Sequence, residues 1–137
     1  MRYINQLLRC AAYLWASPYT LLGCVVGAVG LLSRGKVQVC RGVIEFHGGF
    51  VTWFVRHLPL GACTLAITLG HTVLGQTADS LAIARDHEHV HVRQFERWGL
   101  FMGPAYLLAS LVLWLRGRDP YRENPFEVEA FRDADLL

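Results

Sequence analysis

The stretch that most restricts the fold is residues 10–32, 23 consecutive positions without a charged side chain. As a helix rising about 1.5 Å per residue, such a run is long enough to cross a hydrocarbon core of about 30 Å. The sequence therefore predicts a membrane-spanning helix near the N-terminus. Arg2 and Arg9 resemble the basic start of a secretory signal. The apolar region of a signal is shorter, however, roughly 7 to 15 residues, so an uncleaved anchor is the better fit. Composition points the same way. Hydrophobic residues make up 53% of the chain and charged residues only 18%, with a mean hydropathy of +0.31, which suits membrane association better than free solution. Arg2 and Arg9 precede the span while Arg34, Lys36 and Arg41 follow it. That small bias favours a cytoplasmic C-terminal portion. Pro18 lies in the first half of the span. Gly23 and Gly27 form a GxxxG pair that could admit a second helix and give a homodimer, or could simply face lipid.

At 137 residues the chain fits one compact domain with an appendage, divided into a membrane anchor at 1–34 and a folded domain at 35–137. The net charge of +2 and the scatter of the arginines provide no basic face interleaved with aromatics, which argues against a nucleic-acid partner. Cys10 and Cys24 fall inside the span, Cys40 and Cys63 outside it, and no CxxC spacing occurs. These residues read as small apolar fillers, and a Cys40–Cys63 disulfide would require an oxidising compartment.

After the span, residues 36–46 predict a β-hairpin with Arg41 and Gly42 at the turn. His47, Gly48 and Gly49 break it. Residues 50–55 and 63–69 read as two further strands, rich in β-branched and aromatic side chains and separated by Leu58, Pro59 and Gly61. The second is the candidate edge strand. Gly70, His71 and Gly75 interrupt the segment beyond it, and Asp79 or Ser80 supplies the N-cap of a helix ending at Gly99. The fold class expected is α+β. Residues 100–115 form another apolar run, interrupted by Pro104 and only 16 residues long. It reads as a helix packed behind the preceding one and partly sunk in the bilayer surface, or as a second membrane crossing. A single crossing gives a tethered domain; two place its chemistry near or within the membrane.

The helix ending at Gly99 carries His87, Glu88, His89, Val90 and His91, and so contains HExxH. Residues four apart lie one turn above each other on a helix, so His87 and His91 can offer two imidazoles to one ion. Glu88 places a carboxylate beside the open coordination position, where it can take a proton from water. Six histidines in the chain make an accidental match roughly a one-in-a-hundred event. Context strengthens the pattern: Leu81, Ala84, Glu88, His91, Phe95 and Trp98 recur at intervals of three and four, a single apolar stripe. Glu88 and His91 share that stripe and need partners there. His89 points away from it and is expected to face solvent. Gln94 and Glu96 could support the ligands or lie on a solvated face.

A catalytic zinc site needs a third protein ligand, and 124–130, NPFEVEA, offers Glu127 or Glu129. Asn124 is positioned to cap a short final helix with Pro125 at its first position. HExxH followed by a later glutamate resembles the gluzincin type of metallopeptidase. More closely, the chain is similar to minimal metallopeptidase-like domains of bacteria. The likeness covers 64–133 and is carried by TLGH at 68–71, HEHVHVRQFERWG at 87–99 and NPFEVEA at 124–130. It implies a small zincin-like domain with Zn2+ held by His87 and His91 and with Glu88 as general base. In the related ExxAD pattern the first glutamate binds the metal. That maps to Glu127, because Ala130 follows three residues later, although Phe131 stands where the aspartate would fall. Glu129 with Asp133 restores a Glu and Asp pair in another register and remains the alternative. The HExxHxxGxxH layout is excluded by Gln94 and Arg97. His71 could donate to a substrate oxyanion or orient a ligand, or could be a surface or core residue; Tyr106 and Tyr121 are weaker candidates. Residues 119–123 read as a polar connection. The function expected is a membrane-anchored zinc metallopeptidase acting on a peptide or protein. The alternative is a non-enzymatic membrane protein whose HExxH helix is a structural or vestigial metal site.

Overall fold

In a computed structural model of the chain, residues 2–60 and 63–135 are described; Gly61, one of the expected breakers, lies outside them. The protein is α+β. Helix α1 (Arg2–Leu32) leads into β1 (Lys36–Cys40), β2 (Val43–His47), α2 (Phe50–His57), β3 (Ala66–Leu69) and β4 (Thr72–Gly75). Helix α3 (Ala78–Trp98), a single 3-10 turn (Gly99–Phe101), α4 (Met102–Leu115) and α5 (Pro125–Ala134) complete the chain order. The sheet order is β1-β2-β4-β3. Its outer pairs are antiparallel and its central pair, β2 with β4, is parallel.

The first hairpin forms as its sequence predicts. Arg41 (φ 50°) and Gly42 (φ 81°) are both left-handed, as a two-residue turn matching the twist of its strands requires. Residues 50–55 are not a strand but part of α2. Val51 and Val55, four apart, are buried while Trp53 is exposed, so helical spacing overrides β-branched composition. The hydroxyl of Ser33 accepts from the Phe50 N–H, satisfying a donor that the helix start leaves free. The strand expected over 63–69 is shorter, Ala66–Leu69, and sits at the sheet edge as anticipated. Gly70 and His71 do not end the extended structure. They turn the chain into β4, whose four residues are all buried. A short strand covered on both faces has no apolar–polar alternation to reveal it.

The sheet lies between two helical layers. On one face Phe46 and Leu74 pack with Val26 of α1 and with Val51 and Val55 of α2. On the other, Val43, Ala66 and Val73 pack with Leu81 and Val92 of α3. Helix α1 comes close to the sheet because its facing positions lack side chains. A Cβ at Gly23 would lie 2.7 Å from Thr72 Cβ, and one at Gly27 would fall 2.5 Å from the Phe46 ring. The GxxxG pair thus faces the chain's own sheet, while Leu14, Leu21, Leu22 and Val25 stay exposed. Gly27→Leu is expected to destabilise the protein by about 1–3 kcal/mol or more through overpacking. Thermal unfolding in detergent checks this, with Val25→Leu on the exposed face as the neutral control.

Two helical stretches are long and apolar enough to cross a membrane, Tyr3–Leu32 and Ala78–Leu115. They meet where Trp15 packs on Phe101 (ring centroids 6.1 Å apart) and the Tyr19 hydroxyl donates to the Leu100 carbonyl. Helix α4 does not lie behind α3. Its inner face, through Met102 and Tyr106, fronts the cavity beside His87 and His91, and Leu107, Leu108, Leu111, Trp114 and Leu115 are exposed.

Candidate metal centre

The cap of α3 is Thr77, whose side chain accepts from the Ser80 N–H. Asp79 and Ser80, the expected caps, lie within the first turn, where the acidic group still favours the helix dipole. Thr77 has the extended backbone of a cap (φ −139°, ψ 171°). The helix ends at Gly99 (φ 51°), as expected. Helix α5 starts as its sequence predicts: Asn124 Oδ1 accepts from the Phe126 N–H and Pro125 occupies the first turn. The amide of the fully buried Asn124 also donates to the Tyr106 carbonyl and the Ser110 hydroxyl. Helix α5 is thereby fastened to α4, and Glu127 in its first turn is delivered to the two histidines of α3.

His87, His91 and Glu127 form a group that could hold a metal ion, each offering one ligand atom and all these atoms lying within 4.8 Å of one another. His87 Nε2 is 3.2 Å from His91 Nε2 and 3.1 Å from Glu127 Oε2, and His91 Nε2 is 3.4 Å from Glu127 Oε1. Ligand atoms bound tetrahedrally at about 2.0–2.1 Å sit about 3.3 Å from their neighbours, close to the separation of the two imidazole nitrogens; the two histidines face different oxygens of Glu127, and a single oxygen lies within 4.8 Å of both nitrogens. The chemistry fits as well. Two imidazole nitrogens facing each other beside a carboxylate would be in conflict as bare acceptors, and a shared proton or a metal cation removes the conflict. His87 Nδ1 is buried without a partner among the described residues.

The proton on His91 is assigned by its neighbour. Gln94, fully buried, donates through Nε2 to the Phe126 carbonyl and to Glu129 Oε2. Its Oε1 therefore faces His91 Nδ1, at 2.8 Å, as an acceptor. With Nδ1 protonated, Nε2 is the nitrogen aimed at the group, where its lone pair serves an ion that displaces any proton shared with Glu127. Gln94 thus braces His91, a candidate ligand, and is buried, not on a solvated face. Its replacement by leucine is expected to weaken metal binding by about 10–100-fold, read by competition with a chelator of known affinity.

Glu127 is 4% exposed, and its Oε1 accepts from the Tyr106 hydroxyl at 2.7 Å. Burial alone pushes its carboxyl up, but hydrogen bonds from His87 and His91 outweigh this and bring it down to about 2. The group is an anion at neutral pH. Glu129 stands outside the cluster, where it accepts from Arg97 and from Gln94. Of the two candidate third ligands, Glu127 is the one that reaches the histidines. Glu129 braces the glutamine behind His91. Glu88 is buried and accepts through Oε2 from the Thr68 hydroxyl at 2.6 Å. That bond ties β3 to α3 beside the cluster. Two cavities open here, both bordered by His87, Glu88 and Tyr121.

No protein-family model, curated protein or solved structure matches the chain. The site's own geometry is the ground on which any functional reading has to stand.

His71 borders neither cavity. It is buried, stacked on Tyr13 at 3.8 Å, with Nε2 2.9 Å from Glu96 Oε1. It joins the β3–β4 turn to α1 and α3 and has no place at the cluster; Glu96 is its partner. His89 does point away from the ligands, but it is buried and not exposed. The β1–β2 hairpin covers that side of α3, and His89 Nε2 lies 4.0 Å from Glu45. Glu45, also buried, accepts from Arg85 through both oxygens and from Gln38. Burial raises its carboxyl, and these bonds with the Arg85 charge lower it further than burial lifts it. Tyr106 and Tyr121 prove more central than their spacing implied. A phenol inside the apolar run at 100–115 needs a polar partner, and that need was the available signal for Tyr106. Burial pushes the Tyr121 phenol up, and the charges of Glu127 and Glu88 add to this, so it stays protonated at neutral pH. Residues 119–123 form the expected polar connection, with Asp119 Oδ1 accepting from the N–H groups of Tyr121 and Arg122.

Proposed function

We propose that the protein is a membrane-associated zinc metallopeptidase that hydrolyses peptide bonds, with a zincin-like arrangement of an edge strand beside a metal-bearing helix. The observation that carries this reading is the mutual spacing of His87 Nε2, His91 Nε2 and the Glu127 carboxylate. Two imidazoles and one carboxylate suit zinc better than magnesium or calcium, which prefer oxygen ligands. Three protein ligands leave a fourth position open, the mark of a catalytic site, since structural sites usually fill all four from the protein.

Zinc bound there supplies Lewis acidity and makes water nucleophilic at neutral pH. Glu88 takes the proton from the attacking water and passes it to the leaving amine. The Thr68 hydroxyl holds one oxygen of Glu88, which fixes the carboxylate. Tyr106 orients Glu127 through its hydrogen bond to Oε1. Tyr121, protonated and bordering both cavities, donates to the oxyanion that forms on the substrate carbonyl. The edge strand β3 accepts an extended substrate by main-chain pairing. Helix α1 crosses the membrane, and the helix over 100–115 lies at its surface or crosses it as well, with the site toward the cytoplasm.

Metal analysis of the purified protein together with a casein or peptide cleavage assay tests the reading. One zinc per chain and chelator-sensitive cleavage are expected. Stoichiometric zinc with no turnover on any substrate would leave a metal-binding membrane protein in place of a hydrolase.

A further inference from the structure

The two cavities at the cluster have different walls. The first, of about 290 Å³, is lined by Leu58, Leu60, Leu69, Phe95, Met102 and Leu107, with Tyr19 of α1 closing one side. Apart from His87, Glu88, His91 and Glu127 themselves, no ionisable side chain other than tyrosine borders it among the described residues. The second, of about 680 Å³, includes Arg122 and Asp135 in its lining. Both are bordered by Thr64 and Ala66 as well as by His87, Glu88 and Tyr121. They are therefore consecutive compartments of one cleft beside β3, the outermost strand of the sheet, and they meet at the cluster.

The apolar compartment is walled by residues of α1 and α4, which belong to the two stretches long and apolar enough to cross a membrane. Leu107 stands at its rim, 67% exposed, and the apolar surface continues outward along α4 through Leu108, Leu111 and Trp114. Helix α4 carries no charged side chain along this surface. At about 300 Å³, the low end for ligand pockets, the space takes one or two large side chains and no folded unit.

Resting on the metallopeptidase reading, we propose that the substrate is a membrane-derived polypeptide cut at the boundary between its apolar and polar sequence. A large apolar side chain next to the scissile bond occupies the compartment between β3 and α4. The polar continuation leaves past Arg122 and Asp135.

The test uses the full chain in detergent carrying Glu88→Gln, its zinc content verified, so that peptides bind without being cut. Two dye-labelled peptides share a polar half and differ in the other half, one carrying Leu and Phe, the other Ser and Asp. Binding is followed by fluorescence anisotropy. Leu107→Asp and Leu60→Asp, each added to this background at the partly exposed rim, control for partition of the apolar peptide into micelles. The apolar peptide is expected to bind at least about tenfold more tightly than the polar one, and each rim substitution to remove at least about tenfold of that binding, with zinc content unchanged. Equal binding of the two peptides would overturn the proposal. So would full retention of apolar binding in both rim variants. Cleavage of polar and apolar peptides at equal rates by the wild-type protein would also overturn it and leave the peptidase reading standing. Selective apolar binding without cleavage by the wild type would instead keep the recognition and remove the hydrolysis.

Discussion

Glu88→Gln is expected to lower peptide cleavage by about 10²–10⁴-fold, the range of a positioned general base, while the protein keeps its zinc. The amide has nearly the shape of the carboxylate and can still meet the Thr68 hydroxyl through its oxygen, so the link between β3 and α3 survives. It cannot take a proton from water. Glu88 is also absent from the three ligand groups, so metal content should stay at one per chain. Elemental analysis and a cleavage assay on the same preparation separate the two effects. Equal rates in both proteins would take Glu88 out of the chemistry.

The second large effect concerns the third ligand. Glu127→Ala is expected to weaken zinc binding by more than about 100-fold, beyond the range typical of a residue that only supports a ligand. Glu129→Ala should cost less, because that carboxylate reaches His91 only through Gln94. Removing Glu127 also leaves the Tyr106 hydroxyl without its acceptor, so Glu127→Gln, which retains one oxygen, distinguishes lost coordination from local misfolding. Chelator competition on the folded variants reads the order directly. Zinc retained by Glu127→Ala and lost by Glu129→Ala would reverse the assignment.

Much of this site was legible in the chain because it is built from local rules. The spacing of His87 and His91 follows from one helical turn, and the cap at Asn124 with Pro125 locates α5 and hence Glu127. The choice between Glu127 and Glu129 was not legible from helix geometry, and only the resemblance to the ExxAD pattern favoured Glu127. Two residues apart at a helix start, they point in different directions, and only the packing of α5 against α3 and α4 decides which faces the histidines. His89 shows the same limit from the other side. Helical geometry turns it away from the ligands, but its burial depends on a hairpin some 45 residues earlier, and no local pattern announces that contact. In the sheet, the hairpin at Arg41 and Gly42 carried its own turn chemistry. Residues 50–55 misled because their composition favours strand, whereas the burial of Val51 and Val55 against Val26 and Phe46 makes them helix.

The close seating of α1 has a practical consequence. Because Gly23, Gly27 and Gly30 let it rest on Thr72, Phe46 and Val51, it forms one wall of the sheet's interior. Truncation to a fragment beginning at Lys36 would uncover the Phe46, Val51 and Leu74 surface. Such a fragment should aggregate on expression, so biochemical work on this protein begins from a chain that keeps α1.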